Sequence, residues 1–569
     1  MKIHTLIFIA AGLLLSCSQK QNNPSADLIF SNGTILTMND KQPTVAAVAV
    51  KDGKIIYAGS LDKVMSFKTD STKMVDLAGK TLTTGFIDPH SHFTMVGTMK
   101  ILADLSPEPY GSVMDIPSLQ KRLKDYIAEH KIPKGAVVLG NGYDDAIMKE
   151  HRHPTKEELD AVSTDHPIYI LHASGHMGVA NSKAIEQAGI TASTPNPTGG
   201  VIVHNPDGSL NGRMEENANI QFAMKFRPVP SMEEVVKNML AAQEDYLKYG
   251  QTTICDGRTM ATDLKILQTL ADKKLLKVDV ISYPDYDDNA RRLDELKKKS
   301  SYENRFRIGG IKFTLDGSPQ GRTAWLTKPY FKQAEGESND YKGFPIYTDS
   351  TLYASMKDVL QHGMTFQVHD NGDAAIDQAL NTITRLKKEG VYNDSMRAAL
   401  IHVQVSRPDQ ISKIKAAGVI PSYYVSHTYF WGDWHREVTL GEKRAAFISP
   451  CKAALDHNIL FTLSHDAPVT PPDIITLFHT AINRTTRTGY VLGPDQRIST
   501  AEALKAITIN AAYQYKEEKN KGSIESGKLA DLVILDANPL TTAPSSLKDL
   551  KVLNTYKEGK LVYSLKNNK

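Results

Sequence analysis

Gly85-Phe86-Ile87-Asp88-Pro89-His90-Ser91-His92-Phe93 is an apolar run that ends in a polar turn and delivers two histidines one residue apart. On an extended strand, residues i and i+2 point to the same side, so His90 and His92 can aim both imidazoles at one point. A strand end carrying His-x-His is half of a metal site. The bland alternative is a pair of solvent-facing histidines in a loop, and the rest of the chain decides between the two.

Downstream, strand and helix patterns alternate. Apolar runs at 278–282, 310–315, 365–369, 400–405, 418–423 and 460–464 read as strands. Between them, 264–271, 374–388 and 408–417 carry helical periodicity. The alternation predicts an α/β chain with a (β/α)8 TIM barrel over 84–519. One stretch breaks the rhythm: about 106–230 is a run of mixed segments with turns at 195–200 and 205–208. It is too long for a barrel loop and predicts an inserted subdomain over the barrel mouth. Upstream, 27–83 is short and β-rich, with turn signals at Asn32-Gly33 and Asp52-Gly53. A matching fragment lies at 520–569, and pairing the two predicts a small composite β-sandwich that brings the ends of the chain together.

The first residues read as an address. Met1-Lys2, an apolar stretch at 6–15 and Leu14-Leu15-Ser16-Cys17 resemble a bacterial lipoprotein signal. That predicts a signal peptide at 1–16, lipidation of Cys17 and a polar tether at 17–26. The expected location is the cell envelope, with the protein lipid-anchored to a membrane and facing the periplasm or exterior. The other reading is an ordinary secretory signal. Cys255 and Cys451 make neither a disulfide framework nor a CxxC pair, and are expected to be buried thiols. At 569 residues, with 41% hydrophobic and 23% charged residues, the composition is that of a globular protein. A net charge of +3 predicts no nucleic-acid surface, so the expected partner is a small-molecule substrate. A homodimer is the assembly left to test.

Polar residues recur at the strand ends. Lys312 sits within an apolar strand pattern, His369 ends Thr365-Phe-Gln-Val-His369, His402 ends Ala398-Ala-Leu-Ile-His402, and Asp466 follows Phe461-Thr-Leu-Ser-His465. In a parallel barrel the C-terminal strand ends share one mouth, where catalytic residues converge. Each residue alone has a plain reading as a hydrogen-bonding, snorkelling or turn residue; six in one order are harder to dismiss. No G-x-S-x-G nucleophile signature is present.

At these residues the sequence resembles the metal-dependent amidohydrolase superfamily, in its amidohydrolase-3 branch that includes N-substituted formamide deformylases. The likeness is carried by Phe86-Ile-Asp-Pro-His-Ser-His92, Gly310-Ile-Lys-Phe-Thr-Leu-Asp-Gly-Ser318 through Gly321-Arg-Thr-Ala324, and His369 to Ile376. His402-Val-Gln404, Ser464-His-Asp-Ala-Pro-Val469 and Gly527-Lys-Leu-Ala-Asp-Leu-Val533 extend it. His465 and Thr84 depart from the usual pattern. The resemblance implies a metal set of His90, His92, Lys312, His369, His402 and Asp466, with Lys312 carbamylated and one or two divalent ions bound. The nitrogen and oxygen donors suit Zn2+, with Fe2+ or Mn2+ as alternatives. It further implies a metal-activated hydroxide that cleaves a C–N bond of an amide, formamide or cyclic amide. Asp466 would serve as general base, with His369 and His402 as its catalytic partners. Arg322 and His176 are candidates for substrate contact or for orienting the ligands, against plain loop anchoring. Deamination of an aminated ring would use the same site, and a non-catalytic binding lipoprotein on the same fold is the alternative from another class. Substrate choice is expected to lie in the insertion, including Asn141-Gly-Tyr-Asp-Asp145, and in the aromatic stretch 423–434, which either lines a pocket or packs against the barrel.

Overall fold

The structure, a computed structural model, describes residues 25–565 apart from 176, 198–199, 227–229 and 334–337, and without the side chain of Glu216. The lipidation candidate Cys17 and the substrate candidate His176 lie outside the described residues.

The chain is mixed α/β, and two parallel sheets hold its centre. One pairs Phe86–Ile87, Gln251–Thr259, Asp279–Pro284 and Phe306–Ile308 in that order. The other pairs Ile311–Thr314, Phe366–Asp370, Ala399–His402, Ile420–Tyr423 and Thr462–Leu463. A parallel bridge between Asp285 and Lys312 joins them on one side. On the other, the His92 backbone N donates to Ala467 O at 2.7 Å. The strands are buried on both faces, which is why they read as unbroken apolar runs. Phe313, Val368, Leu400, Tyr423 and Leu463 are all fully enclosed in one core.

The helices form because their apolar positions repeat at helical spacing. Asp373–Lys388 buries Ile376, Ala379, Leu380 and Ile383 on one stripe. Pro408–Ala417 starts with proline, whose missing N–H is one the first turn leaves unpaired anyway, and stops at Gly418 with φ 71°.

The terminal segments share one eight-stranded sheet, in which Leu532–Leu535 lies antiparallel against Thr81–Thr84. Asp52 and Gly53, at φ 48° and 77°, turn between Thr44–Lys51 and Lys54–Gly59 as the sequence indicates. The signal at Asn32-Gly33 does not make a hairpin. Leu28–Leu36 is a single strand whose register on Thr44–Lys51 shifts between Ser31 and Ile35. Asn32, at φ 62°, absorbs the extra residue of this bulge.

The long interruption is a sheet of its own. Its six strands run in the order Gly200–His204, Leu210–Glu216, Met177–Ala180, Ile168–His172, Val138–Tyr143, Ala103–Asp104. Helix Ile116–Glu129 covers it with Leu119 and Leu123, which pack with Val138 and Ile170 in a separate cluster. Cys255 and Cys451 are buried and unbonded. Among the described residues no helix is long and apolar enough to cross a membrane.

Candidate metal centre

The segment after Phe86–Ile87 is pinned from several sides. Asp88 Oδ1 accepts from the His90 N at 3.1 Å, and Asp88 Oδ2 accepts from the Cys255 N at 3.2 Å. Gln514 Nε2 donates to Pro89 O at 3.0 Å, and Tyr515 OH to Asp88 O at 2.8 Å. The strand ends earlier than the sequence suggests, so the two histidines sit in this held turn, with His92 leading into helix Phe93–Met99. Their rings nevertheless converge, with centroids 5.1 Å apart.

The other four residues arrive on the second sheet. Lys312 is paired across from Gln367, His369 from Ile401 and Asp370 from His402. Because i and i+2 share a face, Gln367 and His369 project to one side of their strand. His402 and Asp466 hold φ values of 80° and 53°, a left-handed conformation that costs non-glycine residues about 1–3 kcal/mol each and clusters at functional sites.

The six gather. Asp466 Oδ1 lies 3.4 Å from His90 Nε2 and 3.2 Å from His92 Nε2. Its other oxygen lies 3.9 Å from His402 Nε2. Lys312 Nζ is 3.2 Å from His90 Nε2, and the rings of His369 and His402 are 4.7 Å apart. One ligand atom from each of His90, His92 and Asp466 falls within 4.8 Å of the other two.

The hydrogen bonds reveal which atoms face inward. Gln367 Nε2 donates to Pro89 O at 3.2 Å, which turns its Oε1 towards His90 Nδ1 at 3.1 Å. His90 Nδ1 must therefore carry the proton, and Nε2 presents a lone pair. That lone pair faces a carboxylate oxygen that is buried with no hydrogen-bond donor of its own. Lys312 Nζ reaches that nitrogen at 3.2 Å, but the carboxylate oxygen is left unanswered 3.4 Å from it, and a divalent ion between two such acceptors is what the donor set fits. His402 Nδ1 and His369 Nδ1 are also buried without a hydrogen bond, although His369 Nδ1 lies 3.3 Å from Asp316 Oδ1.

Burial sets the charges. It holds the His90 and His402 imidazoles well below their ordinary range, helped by the charge of Lys312. Neutral imidazole is the form that ligates. Burial also pushes the Lys312 ammonium down to about 7, although Asp466 pulls the other way. A substantial share of free amine is then present at neutral pH.

The centre lies in a cavity of about 470 Å³, lined by His92, Lys312, His369, His402 and Asp466, with Asn141, Ser174 and Asn217 from the six-stranded segment. Tyr424 and His427 of the aromatic stretch line it as well. Arg322 does not line this cavity; its guanidinium lies 5.0 Å from the Tyr330 ring centroid. His465 turns away from the centre. It accepts from the Ala467 N at Nδ1 (3.1 Å) and donates from Nε2 to Gln251 Oε1 at 2.9 Å.

Sequence reasoning missed Gln367, Asp316 and Asn371. Asp316 accepts from the backbone N of Asn371 and Gly372 at 3.0 and 2.7 Å, which fixes the turn after His369. Its only signal was its place in the Asp-Gly-Ser stretch.

Two other features compete. A larger hollow of about 640 Å³ is lined by Arg305, Arg307, Asp279 and Lys521. Its buried charges are matched to one another, as Arg305 with Glu558 at 2.7 Å and Lys521 with Asp279 at 2.5 Å, so they are spent on holding the fold together. Asp144, Asp145 and His172 also cluster. There, however, His172 Nε2 faces Asp145 Oδ1 at 3.0 Å. Both Asp144 oxygens are spent on Trp431 Nε1 and the Ala146 N, and although burial opposes it the two carboxylates push the His172 imidazole up to about 9, so this cluster holds a cationic ring in place of a metal.

Comparison with known proteins agrees with this geometry. The model of the amidohydrolase family matches residues 73–563. The chain is 26% identical over 554 residues to the N-substituted formamide deformylase of Arthrobacter pascens, covering 94% of this chain and 98% of that one. It is 26% identical over 549 residues to a putative amidohydrolase of Bacillus subtilis (strain 168), covering 94% and 99%. Among solved structures, an uncharacterized metal-dependent hydrolase from Pyrococcus horikoshii OT3 superposes with a TM-score of 0.71 at 26% identity, covering 91% of this chain and 99% of that one. With the match spanning nearly all described residues and including every member of the six-residue centre, the chain belongs to the amidohydrolase family.

Proposed function

We propose that this chain hydrolyses the C–N bond of a small amide, formamide or cyclic amide at the centre formed by His90, His92, Lys312, His369, His402 and Asp466. As a family member it is a metal-dependent hydrolase acting on carbon–nitrogen bonds other than peptide bonds. The observation that carries the finer reading is the donor-less Asp466 Oδ1 facing two imidazole nitrogens. In this reading the two parallel sheets are the halves of a (β/α)8 barrel, with Phe306–Ile308 and Ile311–Thr314 counted as one strand interrupted at Gly309-Gly310; the terminal sheet is a composite sandwich, and the six-stranded segment covers the mouth.

His90, His92 and Asp466 would hold one ion, and His369, His402 and a carbamylated Lys312 a second. The nitrogen-rich donors favour Zn2+ over Mg2+ or Ca2+. A bound divalent ion supplies Lewis acidity and lowers the pKa of water from about 15.7 towards about 7. Asp466 takes the proton of the attacking water and returns it to the leaving amine nitrogen, which cannot depart as an anion. His369 and His402, 4.7 Å apart ring to ring, line the same cavity and are held towards their neutral form by burial. Support for the carbamate is the burial of Lys312 and its reach to His90 Nε2; only the neutral amine adds to CO2.

The experiment is metal analysis of purified protein with a screen of N-formyl and N-acyl amines, run beside Asp466→Asn. We expect bound divalent metal and release of amine, and a fall in kcat of about 100-fold or more in the variant. Turnover that survives both Asp466→Asn and chelation would overturn the reading. The lipid anchor at Cys17 belongs to the same proposal, supported by Leu14-Leu15-Ser16-Cys17. Cys17→Ser is expected to move the protein from the membrane fraction to the soluble one. A homodimer is read separately, by light scattering.

A further inference from the structure

A fifth histidine lines the cavity of the metal centre and is not one of the six. His427 opens helix His427–Trp434 and is buried. Tyr424 stands between it and the centre, with its ring 4.7 Å from that of His427 and 5.8 Å from that of His402. Trp431, one helical turn on, packs its ring 4.7 Å from the same imidazole. The ring is therefore held between two aromatic side chains.

Its Nδ1 is already engaged. It meets His435 Nε2 at 3.1 Å, with the two ring planes 14° apart, and His435 Nδ1 in turn meets Thr439 Oγ1 at 2.8 Å. The backbone widens here into a π-helical turn over His435–Thr439, in which the Leu440 N donates to His435 O at 2.9 Å. Such turns are rare and recur at functional sites.

The direction of this chain follows from one hydrogen whose place is forced. Thr439 is fully enclosed, and among the described residues His435 Nδ1 is the only partner of its hydroxyl. The hydroxyl donates there, because the reverse order would strand its hydrogen in a buried site. His435 then carries its proton on Nε2 and donates it to His427 Nδ1, so the proton of His427 sits on Nε2. Burial keeps both rings neutral, holding His427 well below the ordinary range and His435 down to about 3. With Nδ1 spent and Nε2 protonated, His427 has no lone pair for a metal. Its Nε2–H donates to no protein atom and is not sealed from solvent, on a residue that lines the cavity.

We propose that His427 is a further catalytic residue, whose Nε2–H donates to the carbonyl oxygen of the amide and steadies the negative charge that gathers there. This rests on the reading of the centre as an amidohydrolase site. A planar amide offers one good acceptor, its oxygen, because the nitrogen lone pair is drawn into the C–N bond. As the water oxygen bonds to carbon, the C=O pair moves onto the carbonyl oxygen. When the C–N bond breaks, that pair returns and the nitrogen leaves with the proton delivered by Asp466. A donor already fixed in place strengthens as the charge develops and needs no reorganisation. His435 and Thr439 are positioning residues, which decide the nitrogen of His427 that carries the proton.

The test uses the zinc-loaded full chain and the N-formyl or N-acyl amine that the wild type cleaves fastest. His427→Leu is expected to lower kcat by about 100–1,000-fold with KM and metal content nearly unchanged. In His427→Gln the amide Nε2 can stand near the lost imidazole Nε2, so kcat is expected within about 10-fold of the wild type. Turnover of His427→Leu within a few-fold of the wild type overturns the assignment. So do equal losses in the two variants, or loss of metal, which would mark the residue as structural. The proton is read separately by NMR of 15N-histidine-labelled protein, with the His427 signal identified by its absence from His427→Gln. A neutral ring protonated on Nε2 is expected in the wild type, and a mixture of tautomers in His435→Leu; a wild-type ring protonated on Nδ1 overturns the assignment. If no N-formyl or N-acyl amine is cleaved, the reaction assignment is what fails. Calorimetric titration with N-formylphenethylamine then tests His427 by itself, with binding about 10-fold weaker in His427→Leu expected; equal binding, or none to the wild type, overturns the assignment.

Discussion

Gln367 decides which nitrogen of His90 is free. Its amide is oriented by Pro89 O and spends its oxygen on His90 Nδ1. Replacing it with leucine keeps the volume but removes the acceptor, so the imidazole can turn or carry its proton on the wrong nitrogen. Partners of this kind typically contribute 10–100-fold to metal affinity, and Gln367→Leu is expected to weaken binding by about that factor in a chelator competition. Gly257 guards the same ring from behind. A Cβ there would overlap His90 Cε1 and Nδ1. Gly257→Ala is therefore expected to push the imidazole off line and lower both metal content and kcat. Retention of full metal occupancy in this variant would show that the ring can give way. These two residues mark the limit of what the sequence disclosed. His90, His92, His369, His402, Lys312 and Asp466 stand out because a titratable group at the end of an apolar run is uncommon. A glutamine one position inside a strand, or a glycine behind a ring, looks ordinary until the chain is folded around it.

At the scale of elements, the join between the terminal sheet and the central strands adds an ionic cluster to the apolar contacts of Val533, Leu535 and Val552. Lys557, on Val552–Lys557, meets Asp279 and Asp531, each at 2.7 Å, and all three side chains are buried. Lys521 adds a second ammonium on Asp279. Burial alone would raise the Asp279 carboxyl, but the charges of Lys521 and Lys557 outweigh it and hold the group well below its ordinary value. Removing one partner of such a cluster strands the others, so Lys557→Met is expected to destabilise by about 3–5 kcal/mol in urea unfolding. The sign with pH follows from the depressed value. The contribution of Asp279 is complete above its unfolded pKa of about 3.9 and drains away as the pH falls further, so acid unfolding should begin below about pH 4 and be shallower in Asp279→Asn. None of this was visible in the chain, because Asp279 lies more than two hundred residues from both lysines and each reads as a surface charge. The strands themselves were legible, since 310–315 and 418–423 contain those observed and 365–369 overlaps Phe366–Asp370 in all but its last residue. The turn signal at Asn32-Gly33 is a bulge within one strand. An asparagine at positive φ serves a bulge as well as a turn, and local sequence does not separate the two.

Across the whole molecule, the centre joins parts that are otherwise held by separate contacts. His90 and His92 come from the turn after the first sheet's edge strand, Lys312 through Asp466 from the second sheet, and the cavity wall partly from the six-stranded segment. An ion bound by these side chains binds the folded chain and not the unfolded one, so it stabilises by mass action. Free metal at about 100 times its Kd contributes about 2.7 kcal/mol. In a chain of this length each kcal/mol moves the midpoint by no more than about 2–4 °C, so stripping the metal should lower Tm by only a few degrees while abolishing turnover. Both losses should reverse as Zn2+ is added back, with turnover saturating near the Kd while Tm goes on rising with the logarithm of free metal above it. Turnover lost without a shift in Tm would mean that the chelator acts on the substrate or on an ion outside the fold. A collapse of tens of degrees would mean that the ion holds the sheets together, which their paired strands and the Asp279 cluster already do without it.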